Sequence, residues 1–236
     1  MWPSHRKLNL LFMKVKKNYL LIGNTRLHWA RIAGKTYKFS HSGLHNGIPK
    51  DLELENLIWA SVGDLQTSKL DKNNEIKTLD LNIKNCPSYF GVDRALACFS
   101  ALNIIKNCNK NILIADFGTI LSLTKLNAEG EIIGGQLVPG FLTQLKSMKQ
   151  NTMNLELPNI EIIPKQDFLF ETDLAMIKGV ITSLVGTIKQ LFNPQEDILI
   201  ICGGDTKLIS TYLNYQKHEM IIDPDLVMKG MMQFKR

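Results

Sequence analysis

Short apolar runs ended by glycine and hydroxyl residues set the pattern of this chain. Tyr19 to Ile22 is one such run, closed by Gly23-Asn24-Thr25, and beyond it Leu27, Trp29 and Arg31 alternate with His28 and Ala30 at the period of a strand. The spacing predicts strand, tight turn, strand. The design returns half a chain later: Asn111 to Ala115 is apolar, Asp116-Phe117-Gly118-Thr119 forms the turn, and Ile120 to Leu126 runs on as a strand. Asn127-Ala128-Glu129-Gly130 is a further turn, after which Glu131 to Gly135 continues. Two similar units predict an internally duplicated α/β architecture.

Helices fill the gaps. Leu174, Ile177, Ile181, Leu184, Ile188 and Leu191 recur at steps of three and four, an apolar stripe whose helix Thr172 is placed to cap. Asp93 to Lys106 reads as helical with Leu96, Phe99 and Leu102 toward the core, and Phe141 to Met148 is a shorter amphipathic segment. Ile198 to Ile201 is a buried-strand run ended by Gly203-Gly204. Asp223-Pro224 predicts an N-cap with proline at the first helical position, opening a terminal helix through Leu226 and Met228.

At 236 residues and 44% hydrophobic content the chain can bury a substantial core without staples. Cys86, Cys98, Cys108 and Cys202 form no C-x-x-C pair and no metal-ligand spacing with the histidines, so reduced thiols in the cytoplasm are expected. Leu8 to Met13 is too short to span a membrane, and lysines follow it; no membrane partner is expected. The net charge of +6 suits an anionic ligand, but the basic residues are dispersed and lack the aromatic interleaving of RNA readers, so no nucleic-acid partner is expected.

The glycine turns carry the first chemical signal. Small and hydroxylated residues after a strand expose backbone N–H groups that can hold phosphate oxygens, and Thr25 and Thr119 each add a hydroxyl. Taken alone, Gly23-Asn24-Thr25 reads first as an ordinary hairpin turn. In the second copy Asp116 sets a carboxylate at the end of a buried strand, where a cation bridging phosphates needs an oxygen ligand. Gly134 to Gly140 and Cys202-Gly203-Gly204-Asp205 are further points where backbone can approach a flat ligand, or plain turns. Asp93 reads both as a general base and as a helix N-cap.

The segment Gly91-Val92-Asp93-Arg94 resembles the Gly-x-Asp-Arg signature of type III pantothenate kinases. Other motifs of that family follow in order. Leu21 to Thr25 matches Asp-x-Gly-Asn-Thr in part, Ser61-Val62 its Ser-Val pair, Asp116 to Thr119 its Asp-x-Gly-Thr, and Gly134 to Gly140 its Gly-Gly-x-x-x-Pro-Gly. Thr172 with Gly179, and then Gly203-Gly204, complete the series. The resemblance runs from about Tyr19 to the terminal helix. It implies duplicated actin-like ATPase (ribonuclease H-like) halves, 19–110 and 111–236, with a nucleotide cleft between them. It also implies phosphorylation of pantothenate by ATP, the first step toward coenzyme A, in a homodimer. Asp93 matches the proton acceptor; Gly91, Val92, Asp93, Arg94 and Thr172 match the pantothenate site. Gly23, Asn24, Thr25, Thr119, Gly203 and Gly204 match the ATP site. Asp116 matches the ligand of a monovalent cation, potassium or ammonium, and magnesium accompanies ATP.

The chain departs from the pattern at two informative places. Leu21 stands where the family usually has aspartate, which leaves magnesium to phosphate oxygens, Asp116 or water, and Thr124 stands where many members carry an acidic residue. These departures leave two rival readings: a catalytically impaired relative acting by binding or regulation, or an actin-like kinase for another small hydroxy acid or sugar. The residues before Met13 match nothing in the family, and residues 1–18 are expected to be a dispensable extension, with Met13 an alternative start.

Overall fold

The computed structural model describes residues 17–33, 36–50, 52–54, 56–63, 67–106 and 108–235, so that all but the last two residues of the 1–18 extension, Met13 included, lie outside the described residues. The chain divides into two compact units, the first ending at Lys77 and the second beginning at Thr78.

In the first unit four strands form one sheet: β1 (Asn18–Ile22), β2 (Arg26–Ala33), β3 (Thr36–Gly43) and β4 (Leu57–Ser61), ordered β3-β2-β1-β4. The first three are antiparallel neighbours and β4 joins β1 in parallel. The expected turn is there, with the Gly23 N–H donating to the Arg26 carbonyl at 2.9 Å. Alternation along the strands sends Leu20, Ile22, Leu27 and Trp29 to a single core with Leu57 and Trp59.

The second unit repeats this plan. Its strands are β5 (Asn111–Phe117), β6 (Ile120–Leu126), β7 (Ile132–Pro139), β8 (Asp197–Cys202) and β9 (Met220–Ile222), ordered β7-β6-β5-β8-β9. Again three antiparallel strands are followed by parallel pairing, here of β5 with β8 and β8 with β9. The duplication expected from the two glycine turns is therefore present in strand order and direction.

Among the described residues five α-helices accompany this sheet: α1 (Val92–Ile104), α2 (Phe141–Asn151), α3 (Thr172–Leu191), α4 (Thr206–Ser210) and α5 (Leu226–Gln233). The stripe of α3 forms the centre of the larger core, where Ile177, Ile181, Leu184 and Ile188 meet Leu113, Phe117, Leu123 and Ile201 of the sheet. That helix is long and apolar enough to cross a membrane by length and composition, but its apolar stripe is spent on this core. On the other side α1 packs against β5, β6 and α5. It does so with small residues: Ala95, Ala97, Cys98, Ser100 and Ala101 are buried beside Leu96, whereas Phe99 and Leu102 are half-buried. A Cβ on Gly230 of α5 would lie 2.3 Å from the Leu96 carbonyl oxygen, so the helices touch backbone to backbone there.

These contacts explain where sequence and structure differ. The units part at Lys77/Thr78 rather than near Lys110, because α1 packs with α5 and the second sheet. Thr172 is the first helical residue of α3 and Glu171 its N-cap, with no side-chain cap bond. At α5 the N-cap is Asp225, two residues beyond the expected Asp223. Asp223 instead accepts from the Asp225 N–H at 3.2 Å, and its two carboxylate oxygens accept from the Lys229 ammonium at 2.6 and 2.7 Å.

At the start of β8, Asp197 is wholly buried and ties three elements together. It accepts from Lys125 of β6 at 2.9 Å, from the Asn111 amide of β5 at 3.2 Å and from the Asn193 N–H at 2.9 Å. Replacing Asp197 by alanine strands a half-buried lysine and an amide; we expect a loss of about 3–5 kcal/mol in unfolding free energy. Chemical denaturation showing less than about 1 kcal/mol would contradict this.

Candidate active site

The pleat of the second sheet decides which side chains meet. Successive residues of β5 face opposite sides, so Leu113, Ala115 and Phe117 enter the α3 core while Ile112, Ile114 and Asp116 face α1. In register with Asp116 are Ser122 of β6 and Cys202 of β8; in register with Ile114 is Thr124, and Thr124 in turn pairs with Gly135 of β7. The α1 side thus carries one row through Asp116 and Cys202, and a second through Thr124 and Gly135.

Asp93 and Arg94 come to these rows from the first turn of α1. Gly91 is the N-cap, so Asp93 is the second helical residue, and its Oδ1 accepts from the Arg94 N–H at 2.7 Å. One carboxylate oxygen therefore serves the helix, as the capping reading expected, without Asp93 being the cap. Burial raises the Asp93 pKa, and the adjoining Arg94 opposes that rise.

The Arg94 guanidinium crosses to β6, where Nε and Nη2 donate to Thr124 Oγ1 at 3.2 and 3.0 Å and Nη2 reaches the Leu123 carbonyl at 3.4 Å. Its centre lies 4.2 Å over the Phe90 ring. A Cβ on Gly135 would fall 2.3 Å from Nη2, which is why the first strand after the 127–130 turn has glycine at this row.

Asp116 is enclosed by the β8 terminus. The Cys202 thiol hydrogen-bonds its carboxyl, and a Cβ on Gly203, whose φ is +87°, would lie 2.4 Å from Oδ1. Burial first, and the Asp93 charge second, push the Asp116 pKa up to about 7, with the thiol bond acting the other way. The Asp93 carboxylate at the start of α1 is therefore within electrostatic reach of Asp116 at the end of β5.

The second glycine turn is held as firmly. Gly140 packs on it so closely that a Cβ would meet the Gly118 carbonyl oxygen at 2.0 Å, and the Thr119 carbonyl accepts from the Gly140 N–H and the Thr143 hydroxyl at 2.9 and 2.6 Å. The Gly203 carbonyl takes the Thr206 hydroxyl at 2.6 Å, leaving Gly204 exposed. Thr172 is exposed and shares no hydrogen bond with Asp93 or Arg94 among the described residues. In the first unit, Asn24 and Thr25 are exposed on their turn, and Gly63 packs against the Gly23 carbonyl just after Ser61-Val62. Leu21 is buried, in register with His28 on one side and Ala60 on the other.

The sequence motifs give no role to Phe90, Thr124 or the Cys202 thiol. Thr124 was noticed only as a departure from a motif; the alternation of β6 carried the signal that it shares a face with Asp116.

The ethanolamine utilization protein EutJ from Carboxydothermus hydrogenoformans, a solved structure, is 11% identical with a TM-score of 0.50, covering 95% of this chain and 91% of its own, a likeness of fold. Two sheets of repeated strand order, with a glycine turn after the first strand of each, give an actin-like, ribonuclease H-like fold. The family model for type III pantothenate kinase matches residues 64–194. A protein named type III pantothenate kinase from Synechocystis sp. is 26% identical over 90% of this chain and 87% of its own, and one from Acinetobacter baumannii is 26% identical over 93% and 97%. The chain belongs to the type III pantothenate kinase family, with the family's ATP-dependent phosphorylation of pantothenate in coenzyme A synthesis and its need for a divalent metal with ATP.

The raised Asp116 pKa has a measurable sign. An unfolded aspartate ionises near 3.8, so between about pH 4 and 7 the folded chain binds the additional proton and its stability falls as pH rises through that window, Asp93 adding to the slope. We expect Asp116→Asn to melt higher than the parent at pH 8 and equally at pH 4, in buffer free of metal cations. A lower melting temperature at pH 8 would contradict the enclosed charge.

Proposed function

We propose that Asp93 is the proton acceptor of the reaction and that the pair of carboxylates, Asp93 and Asp116, is its centre. As the primary hydroxyl oxygen of pantothenate attacks the γ-phosphorus, a new O–P bond forms, the bond to the β-phosphate oxygen breaks, and Asp93 takes the hydroxyl proton. ADP leaves with the bridging oxygen. A general base of this kind contributes ~10²- to 10⁴-fold, and the upward pKa that burial gives Asp93 moves its basicity toward neutral pH.

Gly91, Val92, Arg94 and Thr172 complete the pantothenate site in this reading, Arg94 pairing with the substrate carboxylate. Gly23, Asn24, Thr25, Thr119, Gly203 and Gly204 hold the nucleotide in this reading. What supports the nucleotide turns is their exposure together with the close backbone packing behind them.

Asp116 is suited to a potassium or ammonium ion. Its carboxyl is desolvated, is repelled by Asp93 and has the weak Cys202 thiol for a donor, a set that a cation would compensate. Bound there, the ion supplies charge neutralisation near the phosphates.

A homodimer in the cytoplasm fits the surface. Met153, Leu157, Ile160, Ile162, Phe168 and Phe170 are exposed between α2 and α3, and among the described residues no atom outside the helix's own backbone lies within 4 Å of a Cβ placed on Gly179 or Gly186 of α3. The four cysteines are free.

Two measurements test the centre. Asp93→Asn is expected to fold normally and lose about 10²-fold or more in kcat while pantothenate affinity stays within about tenfold. Full turnover would rule out Asp93 as the base. Activity is expected to require potassium or ammonium, and Asp116→Ala to remove both the requirement and the activity; equal rates in sodium or choline buffer would argue against a cation at Asp116.

A further inference from the structure

Arg94 owes its position to neighbours that no motif assigns. Its Nε and Nη2 both converge on Thr124 Oγ1, at 3.2 and 3.0 Å, and the hydroxyl, nearly buried at 3% exposure, can accept both. Leu123 contributes a carbonyl, Phe90 a ring face and Gly135 the space for Nη2. All these partners are uncharged. Asp93 lies beside Arg94 but spends Oδ1 on the backbone N–H. The guanidinium is therefore gripped along one edge by neutral acceptors, while Nη1 makes no hydrogen bond among the described residues.

The choice of acceptor matters electrostatically. A carboxylate at position 124 would form a charge-assisted, nearly buried pair and commit the charge of Arg94 to the protein. A hydroxyl fixes the geometry and leaves the positive charge available to a ligand. Cys86 and Cys98, the other titratable groups within electrostatic reach of Arg94, have thiol pKa values raised by burial and are neutral.

We propose that Thr124 is the positioning residue for Arg94, and that as a neutral acceptor it sets how strongly the site prefers an anionic substrate over an uncharged analogue. This rests on the reading of Arg94 as the contact for the pantothenate carboxylate. Thr124 touches no substrate; it acts through the guanidinium it holds.

The test compares steady-state kinetics on pantothenate and on its alcohol analogue, in which a hydroxymethyl group replaces the carboxylate, for the parent, Thr124→Val, Thr124→Ser, Thr124→Asp and Arg94→Gln. With the hydrogen bonds lost, Thr124→Val should raise KM for pantothenate about five- to tenfold, leave kcat within about twofold and hardly affect the alcohol; Thr124→Ser should restore the parent values. Thr124→Asp should lower the acid-over-alcohol preference about tenfold or more by neutralising Arg94. Should the aspartate variant fail to fold, the valine and serine pair decides alone. An unchanged preference in the folded Thr124 variants, with Arg94→Gln abolishing it, overturns the role of Thr124. An unchanged preference in Arg94→Gln as well overturns the underlying reading of Arg94, and the inference with it.

Discussion

The site depends on one constraint, the register of β5 between β6 and β8. Because side chains alternate across a pleated sheet, the pairing of Asp116 with Cys202 and of Ile114 with Thr124 sends all the polar groups to the face that α1 covers. A slip of one residue in β5 would exchange Asp116 for Phe117 and place a carboxylate in the α3 core. The register is secured at the far end by Asp197, which joins the start of β8 to β5 and β6, so a buried ion pair at one end of the strands positions the carboxylate at the other. The apolar stripe of α3 adds to this by accepting only the Leu113, Ala115 and Phe117 face.

Backbone proximity then shapes the centre. Gly135 admits Arg94, Gly140 lies on the Thr119 turn and Gly203 lies against Asp116, each at a distance no Cβ allows. Enclosure by backbone rather than by donors is what raises the Asp116 pKa, since the strand that covers the carboxyl offers it a thiol and the Gly203 N–H is turned to the Pro224 carbonyl. Covering a carboxyl in this way penalises its charged form, which ties the energetics of the fold to pH.

Much of this was legible in the sequence. The two strand-turn-strand units, the α3 stripe and the clustering of Asp93, Arg94, Asp116 and Gly203 follow from local periodicity and from motifs whose chemistry is explicit. What escaped has a common cause. The packing of α1 through Ala95, Ala97, Cys98 and Ala101 defies a reading that looks for large apolar residues, because a helix squeezed between a sheet and a second helix needs small ones. The division at Lys77 follows from that same packing. The caps at Thr172 and Asp223 were misplaced by one and two residues, since composition marks a helix start but not which residue has helical dihedrals. Thr124 was visible only as a mismatch, because its partner lies 30 positions away and a hydroxyl in a strand carries no local signal.

Trp29 and Trp59 are both buried in the core of the first unit, and no tryptophan occurs after Thr78. Among the described residues the indole chromophores thus belong to the first unit, with the Gly23-Asn24-Thr25 turn, whereas Asp93, Arg94 and Asp116 belong to the second. Emission from Trp29 and Trp59 reports their packing in the core of the first unit, whereas far-ultraviolet dichroism is dominated by α1, α3 and α5 of the second. Any difference between the two optical signals along a titration is therefore a local reading of which half of the repeat has responded.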